Sequence, residues 1–383
     1  MKKTIALLAS LLLTIALFGC SGPGGQETTA TVDYGAIQDD MVSPDGTYEI
    51  AFVTDRGQLK DLSFSQSIWE GVKYYASQNG KTYKYYQPEH CETAEDVDRY
   101  NAMKTAVENG AKLVFCAGYL QEKALARIAA ENPQVSFVFV DGYCLKDEQG
   151  LVLKNVAPVS FQEEQAGYLA GYAAVMEGYT SLGFSGGGAG INQACGRFGH
   201  GYLQGIQAAA AQKGIMVDVK FSWAYGSEFA ASAKLQKFLS EWYKEGTQVI
   251  FTCGGLMCQS AFAAAKANNG KVIGVDVDQS LQSDTVITSA TKGLHRAVEY
   301  MCQLYYEGKW NQVGGAQTIL GAAQDAVGLP TTGWQLLTFT QEQYQTLLGK
   351  LKDGSIVVDA SADFQMEAFP NIRLSVIPEP DAG

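Results

Sequence analysis

The sequence contains few basic residues. Lysine and arginine number 28 against 40 aspartates and glutamates, so the formal net charge is −12 at pH 7. Nucleic acids and anionic membrane surfaces attract proteins that carry an excess of positive charge. We therefore expect neither nucleic acid nor an anionic surface as a partner, and a neutral or cationic small ligand suits the chain better.

Histidine is scarce, and long apolar runs are absent after the first twenty residues. His90, His200 and His295 lack the spacing of metal ligands, so we predict no metal site and no cofactor. Beyond Cys20, no stretch reaches about eighteen consecutive apolar residues, the length that indicates a transmembrane helix. The body of the chain is therefore predicted to be a globular protein.

Common catalytic motifs are also missing. Gly186–Gly190 is rich in glycine, but no Lys-Ser or Lys-Thr follows it, and nearby acids would repel a phosphate. No serine, cysteine or threonine has a histidine in a recognisable triad context. The sequence therefore does not favour an enzyme.

The N-terminus has the organisation of a bacterial lipoprotein precursor. Lys2 and Lys3 precede an apolar stretch, Thr4–Phe18, and Gly19 and Cys20 follow it. This arrangement resembles a lipobox, with an ordinary secretory signal as the alternative. We predict a signal peptide over 1–19, a lipid on Cys20 that anchors the protein outside the cytoplasm, and a flexible tether over 20–46, where Gly, Ser, Thr and Pro are frequent.

Seven cysteines remain after Cys20. An odd number outside the cytoplasm leaves at least one thiol unpaired. Cys116 and Cys253 lie in apolar strand-like runs and are interpreted as small core residues. The full set is Cys91, Cys116, Cys144, Cys195, Cys253, Cys258 and Cys302.

Short apolar runs alternate with longer helical stretches along the chain. Strands are predicted over 48–54, 112–117, 136–140, 182–185, 216–221, 248–253, 272–275 and 285–289. Helices are predicted over 64–79, 94–109, 122–132, 163–177, 199–213, 229–245, 259–268 and 294–307. Continuous apolar strands joined by helical crossovers indicate parallel sheets that are covered on both faces. The pattern occurs twice, with a break near 155–161, and predicts an α/β fold of two doubly wound lobes. Lobe 1 is predicted over 47–158 with part of 288–328, and lobe 2 over 159–287 with part of 329–383.

Polar residues and glycines follow the predicted strands. In open α/β sheets, ligands bind at the carboxyl ends of strands, and a cleft between two lobes is a common ligand site. Three acids and one lysine are therefore expected to meet at one site. These strand-end residues include Asp55, Gly118, Asp141, Gly254, Asp276 and Lys292.

Several motifs in register resemble the basic membrane protein (BMP) family of substrate-binding lipoproteins, which includes purine-nucleoside receptors of ABC transporters. The most characteristic is VTDRGQLKDLSFSQSIWEG at 53–71. The others follow in family order: FVFVDG at 137–142, FQEEQAGYLAGYAA at 161–174, GRFGHGYLQG at 196–205, GVDVDQ at 274–279, TSATKGLHRAV at 288–298 and YQTLLGKLKDGSIVV at 344–358.

The resemblance implies a type I periplasmic-binding fold that holds a nucleoside between the lobes and delivers it to an ABC permease. It implies that Phe64 and Phe198, one from each lobe, stack on the base. It further implies polar contacts from Asp55, Asp141 and Asp276, donors from Lys292 to ribose oxygens, and a close backbone approach at Gly254.

The sequence departs from the family at the site. Ser65 stands where relatives carry asparagine, and SGGGAGINQACGRF at 185–198 replaces a more apolar segment. These changes leave the exact ligand open. The rival hypotheses are a binding protein for a sugar or signalling molecule, a sensor that reports to a membrane partner, and a nucleoside hydrolase, because acids around a sugar can cleave glycosidic bonds.

Overall fold

The structure is a computed structural model that describes residues 33–55, 58–90, 93–361 and 368–379. The predicted signal peptide, Cys20 and the first part of the predicted tether lie outside the described residues. The described residues from Tyr34 onward form one compact unit. Within the described residues, no helix has the length and apolar character needed to cross a bilayer.

Thirteen strands form two sheets in the described part of the chain. The strands are β1 (Ile50–Val53), β2 (Tyr83–Tyr86), β3 (Leu113–Ala117), β4 (Ser136–Val140), β5 (Val156–Phe161), β6 (Ser181–Gly186), β7 (Val217–Ser222), β8 (Val249–Cys253), β9 (Lys271–Asp276), β10 (Val286–Lys292), β11 (Thr318–Leu320), β12 (Val327–Gly328) and β13 (Ile372–Val376).

The first sheet has six strands in the order β11-β5-β4-β3-β1-β2, all parallel. The second has seven strands in the order β12-β10-β9-β8-β6-β7-β13, parallel except for β12. The central strands are buried along their whole length, as expected when helices cover both faces.

Helices cover both sheets. They are α1 (Phe64–Gln78), α2 (Asp96–Glu108), α3 (Glu122–Glu131), α4 (Glu163–Glu177), α5 (Gln193–Lys213), α6 (Ala233–Lys244), α7 (Met257–Asn268), α8 (Leu294–Tyr306) and α9 (Gln341–Lys352). Four pairs of helices pack together. Over the first sheet these are α1 with α8 and α2 with α3; in the second half they are α4 with α5 and α6 with α7. Each sheet is thus enclosed between apolar helix faces.

Helices α4 and α5 approach so closely that glycine is required at their contact. A Cβ atom on Gly201 would lie 2.0 Å from the carbonyl oxygen of Glu164, and one on Gly205 would lie 2.0 Å from that of Tyr168. Both distances are far below any real contact, so only glycine fits. This packing holds the start of α4 against the part of α5 that carries Phe198.

The chain passes between the sheets at three places. It leaves β5 for α4 through Gln162, leaves β10 for α8 through Gly293, and runs from β11 to β12 through residues 321–326. Backbone hydrogen bonds join these passages: Gln162 donates to Leu320 at 2.9 Å and Gly293 to Ala326 at 2.7 Å. The three connections therefore lie side by side.

All eight predicted strands form, whereas β2, β5, β11, β12 and β13 were not predicted. The predicted break near 155–161 is occupied by β5, a strand of the first sheet, and the chain crosses just after it. Helix α5 was predicted to begin at Gly199 but begins at Gln193, because Asn192 caps it by accepting a hydrogen bond from the Cys195 amide at 2.9 Å. The lobe boundaries themselves remain a prediction.

The domain contacts begin inside the predicted tether. The Asp39 carboxylate accepts hydrogen bonds from the Trp69 indole at 2.9 Å and from the Lys73 ammonium at 2.7 Å. Lys73 also donates to the carbonyl of Ile37 at 3.0 Å, and Tyr83 donates to that of Gln38 at 2.8 Å. Residues 37–39 are therefore packed against α1 and β2.

Candidate functional site

A cavity of about 490 Å³ lies at the carboxyl ends of strands from both sheets. All eight residues that the sequence nominated for ligand binding line it: Asp55, Phe64, Ser65, Asp141, Phe198, Gly254, Asp276 and Lys292. The lining also includes Gln58, Asp61, Thr93, Gly118, Tyr119, Asn192, Cys195, Glu228, Phe229 and Cys253. The structure thus brings these eight residues to one place; their binding role remains a prediction.

The acids at the strand ends have a backbone geometry that turns the chain at the cavity wall. Asp141 follows β4 with φ of 56° and Asp276 ends β9 with φ of 65°. Aspartate is one of the few residues with a side chain that enters this left-handed region readily. Non-glycine residues in this conformation cluster at functional sites, which fits the position of both acids.

Lys292 is the centre of the charged part of the cavity. Its ammonium lies 2.9 and 2.6 Å from the two carboxylate oxygens of Asp141 and 3.2 Å from Oε1 of Glu163. The lysine side chain is 2% exposed. Burial disfavours its charge, but the neighbouring carboxylates outweigh burial and raise the pKa of Lys292. The residue is therefore a buried cation.

Three phenylalanine rings surround the same ammonium. The Lys292 nitrogen lies 5.1 Å from the ring centre of Phe64, 5.2 Å from that of Phe161 and 5.8 Å from that of Phe198. A cation at this distance is attracted to the ring face. The two rings predicted to stack on a base thus lie close to one charged group, and Phe161 joins them.

Asp61 explains why Phe64 stands at a helix start. The Asp61 carboxylate accepts hydrogen bonds from the backbone amides of Ser63 at 3.0 Å, Ser65 at 2.9 Å and Gln66 at 3.0 Å. These bonds satisfy amides that have no partner within the first turn of α1. Burial raises the pKa of Asp61 to about 6, against the lowering effect of these bonds. The capped turn holds the half-buried Phe64 at the cavity wall.

Ser63 connects the start of α1 to the second sheet. Its hydroxyl donates to Oδ2 of Asp276 at 2.6 Å, and Asp276 ends β9. Burial raises the pKa of Asp276, and the Lys292 charge and the Ser63 hydroxyl act against that rise. Nearby, the side-chain amides of Gln279 and Gln282 donate to the carbonyl oxygen of Leu62 at 3.3 and 3.0 Å. These hydrogen bonds therefore join the segment before α1 to the second half of the fold at the edge of the cavity.

Gly118 allows the Asp55 side chain to approach the backbone of the next strand end. A Cβ atom on Gly118 would lie 2.0 Å from Oδ2 of Asp55. Gly118 also has φ of 91°, which favours glycine. At the end of the neighbouring strand β4, the Asp141 side chain is 12% exposed; its partial burial raises its pKa to about 6, while Lys292 acts to lower it.

The sequence interpretation missed two charged residues of this site. Glu163, at the start of α4, has a fully buried side chain, and its Oε2 accepts a hydrogen bond from Nε of Arg197 at 2.6 Å. Both residues lie inside motifs that carried the family resemblance, but neither was assigned a role. The sequence feature that could have identified them is a charged residue within a helix of otherwise apolar or small residues.

The remaining chemistry of the cavity is limited. Among the described residues, no three histidine, cysteine, aspartate or glutamate side chains are grouped as a metal ion would require. The amides of Gly187 and Gly188 donate to the carbonyls of Cys253 at 2.8 Å and Gly226 at 3.0 Å, so these two amides are engaged within the protein. The six described cysteines carry free thiols.

Comparisons with known proteins agree with this architecture. The family described as ABC transporter substrate-binding protein PnrA-like matches residues 49–360. The ABC transporter nucleoside-binding protein BmpA of Lactococcus lactis subsp. cremoris is 29% identical over 333 residues, which are 81% of this chain and 86% of that protein. The CD4+ T-cell-stimulating antigen of Listeria innocua is 28% identical over 384 residues, with 93% and 98% covered.

A solved structure supports the fold. The ABC transporter solute-binding protein of Aeropyrum pernix K1 superposes with a TM-score of 0.68 at 19% identity, over 82% of this chain and 94% of that one. At this identity the likeness concerns the fold alone. The predicted α/β architecture with parallel sheets of the periplasmic-binding type is confirmed.

Proposed function

The chain belongs to the PnrA-like family of ABC transporter substrate-binding proteins, which are not enzymes, and on this premise we propose that it binds a purine nucleoside in the cavity between its two sheets. The observation that carries the proposal is the pair Phe64 and Phe198. The two rings come from α1 and α5, line one cavity and lie within 6 Å of the same ammonium.

Aromatic stacking supplies the base-binding part of the proposal. Phe64 lies on α1, which packs on the first sheet, and Phe198 lies on α5, which packs on the second; both line the cavity. Stacking of a base on an aromatic side chain contributes roughly 1–3 kcal/mol. A purine has the larger ring surface of the two base types and so gains more from stacking. The relative named as a nucleoside-binding protein supports the same ligand class.

The acids supply the ribose-binding part. Ionised carboxylates only accept hydrogen bonds, so Asp55, Asp141 and Asp276 suit ribose hydroxyls and the amino groups of bases. Lys292, which also lines the cavity, offers hydrogen-bond donors to ribose oxygens. A site with this balance of groups favours an uncharged, hydroxyl-rich ligand.

We also propose that the protein works outside the cytoplasm, anchored through a lipid on Cys20, and hands its ligand to an ABC permease. The proposal combines the family with the lipobox-like sequence before Cys20. Replacing Cys20 by serine should release the protein from the membrane fraction. Equal membrane retention of the wild type and Cys20→Ser would contradict lipid anchoring.

Thermal unfolding with a ligand panel tests the nucleoside proposal. A ligand that binds only the folded state raises Tm, and the rise grows with the logarithm of the ratio of ligand concentration to Kd. Adenosine, guanosine and inosine should raise Tm, whereas ribose, free purine bases and common sugars should raise it less or not at all. A rise with a sugar and with no nucleoside would favour the rival sugar-binding hypothesis.

A further inference from the structure

Four charged side chains form a network of ion pairs at the cavity, in which each member contacts the next. Asp141 pairs with Lys292, Lys292 lies 3.2 Å from Oε1 of Glu163, and Oε2 of Glu163 accepts from Arg197 at 2.6 Å. The two oxygens of Glu163 thus face one cation each. With two acids and two bases, this network of four side chains is balanced in formal charge.

Glu163 stands where three parts of the fold meet. It is the first residue of α4, directly after the chain leaves β5 of the first sheet. Lys292 ends β10, just before the chain returns towards α8. Arg197 lies on α5 directly before Phe198, whose ring lines the cavity. Glu163 itself does not line the cavity, so it acts on the site through its two partners.

We propose that Glu163 is a positioning residue that holds the Lys292 ammonium and the Arg197 side chain in place and, by supplying the second negative charge, makes the cavity select uncharged ligands over anionic ones. The ligand class in this inference rests on the proposed nucleoside function. The positioning role does not, because it concerns side chains of the ligand-free protein.

Charge balance gives the physical reason. Without the Glu163 carboxylate, Arg197 loses its ion-pair partner, while Lys292 keeps Asp141 at 2.6 Å and Asp276 as a further acid that acts on it. The group then carries one positive charge more than in the wild type. Uncompensated buried charge is unfavourable. A carboxylate or phosphate on the ligand can then form charge-assisted hydrogen bonds with these cations, which the wild-type carboxylate otherwise occupies.

The chain offers a matched control at the next position. Glu164 is also on α4 and is 2% exposed, but among the described residues it forms no ion pair with Lys292 or Arg197. Glu164→Gln therefore removes a nearby buried carboxylate, whose charge also acts on Arg197, without removing any ion pair of this network. The double variant Glu163→Gln/Arg197→Gln removes one acid and one base and so restores the balance.

Binding of a nucleoside is to be compared with binding of its 5′-carboxylate, which adds a charge with little bulk. We expect Glu163→Gln to shift the affinity ratio towards the anion by about ten-fold, a size typical of one charge-assisted contact. Glu164→Gln should leave the ratio unchanged, and the double variant should return it to the wild-type value. An unchanged ratio in folded Glu163→Gln would overturn the selectivity, as would an equal shift in Glu164→Gln.

Amine labelling of the ligand-free proteins provides the second readout. An amine-reactive reagent, with Lys292 modification mapped by mass spectrometry, should label Lys292 several-fold faster in Glu163→Gln and in the double variant than in the wild type or Glu164→Gln. Equal labelling in all four proteins overturns the positioning role. If the wild type binds no nucleoside, the proposed function fails while labelling still decides the positioning role; if Glu163→Gln does not fold, the double variant decides it.

Discussion

The Lys292 ammonium lies 2.6 Å from Oδ2 of Asp141, and this ion pair joins the two sheets across the cavity. Asp141 follows β4 of the first sheet, whereas Lys292 ends β10 of the second. The pair lies beside Phe64 and Phe198, which the ligand is proposed to contact. A ligand that competes for either partner therefore acts directly on a link between the two halves.

The first prediction concerns the stacking rings. Phe64→Ala and Phe198→Ala should each weaken nucleoside binding by roughly 1–3 kcal/mol, because each removes one stacking face. Calorimetric titration measures the change. Phe262→Ala provides the control, since Phe262 lies on α7 and does not line the cavity. Unchanged affinity in both cavity variants would rule out the aromatic sandwich.

The second prediction concerns closure. Ligand between the sheets should draw the two halves together, as hinge closure does in two-lobed binding proteins. The hinge is expected at the three adjacent passages through Gln162, Gly293 and 321–326. Small-angle scattering should show a smaller radius of gyration when nucleoside is added to the wild type, and no such change for Phe198→Ala at the same nucleoside concentration. A constant radius in the liganded wild type would contradict closure.

The third prediction concerns the α4–α5 contact. Gly201→Ala should lower the free energy of unfolding by about 1–3 kcal/mol or more, because the new Cβ atom would collide with the Glu164 carbonyl. Gly349→Ala on α9 is the control: a Cβ atom there meets nothing within 4 Å, and alanine favours helix over glycine by up to about 1 kcal/mol. Chemical denaturation measures the free energy of unfolding of both variants. Equal values for Gly201→Ala and Gly349→Ala would contradict the close approach of α4 and α5.

The fourth prediction uses the raised pKa of Asp61, which is about 6 in the folded protein against 3.8 ordinarily. Between pH 4 and 6 the folded state then binds more protons at this carboxyl than the unfolded state does. The contribution of Asp61 to the free energy of unfolding therefore falls as pH rises through this window. The fall amounts to about 3 kcal/mol at most, since one pKa unit corresponds to about 1.4 kcal/mol.

The measurement is the difference in free energy of unfolding between the wild type and Asp61→Asn across this pH range. The wild type should lose stability relative to Asp61→Asn as pH rises from 4 to 6. A difference that stays flat between pH 4 and 6 would mean that Asp61 has an ordinary pKa in the folded protein.

The sequence predicted the wall residues of the cavity well for a physical reason. The parallel strands of a sheet end at one edge, so Asp141 lies at the carboxyl edge of the first sheet and Asp276 and Lys292 lie at that of the second. The cavity between these edges brings the three residues together. The sequence did not predict the roles of Glu163 and Arg197. Their pairing depends on how closely α4 and α5 approach, which the glycines of both helices permit but no local pattern measures.

Helix starts were the least predictable feature. Glycines at 186–188, 190, 196 and 199 weaken the helical pattern, so the true start of α5 at Gln193 was missed; the Asn192 cap was its local signal. Helix α6 was expected from Phe229 but begins at Ala233, where the Ser232 hydroxyl accepts a hydrogen bond from the Leu235 amide. In both cases a capping side chain overrode the apparent periodicity.

The most direct test of the nucleoside proposal is calorimetric titration of the wild-type protein with a purine nucleoside, its free base and ribose. The proposed cavity predicts saturable binding of one nucleoside per chain, with much weaker binding of the base and of ribose, since each retains only part of the contacts. Binding of ribose or another sugar as tightly as any nucleoside, or no binding of a nucleoside at all, would contradict the proposal.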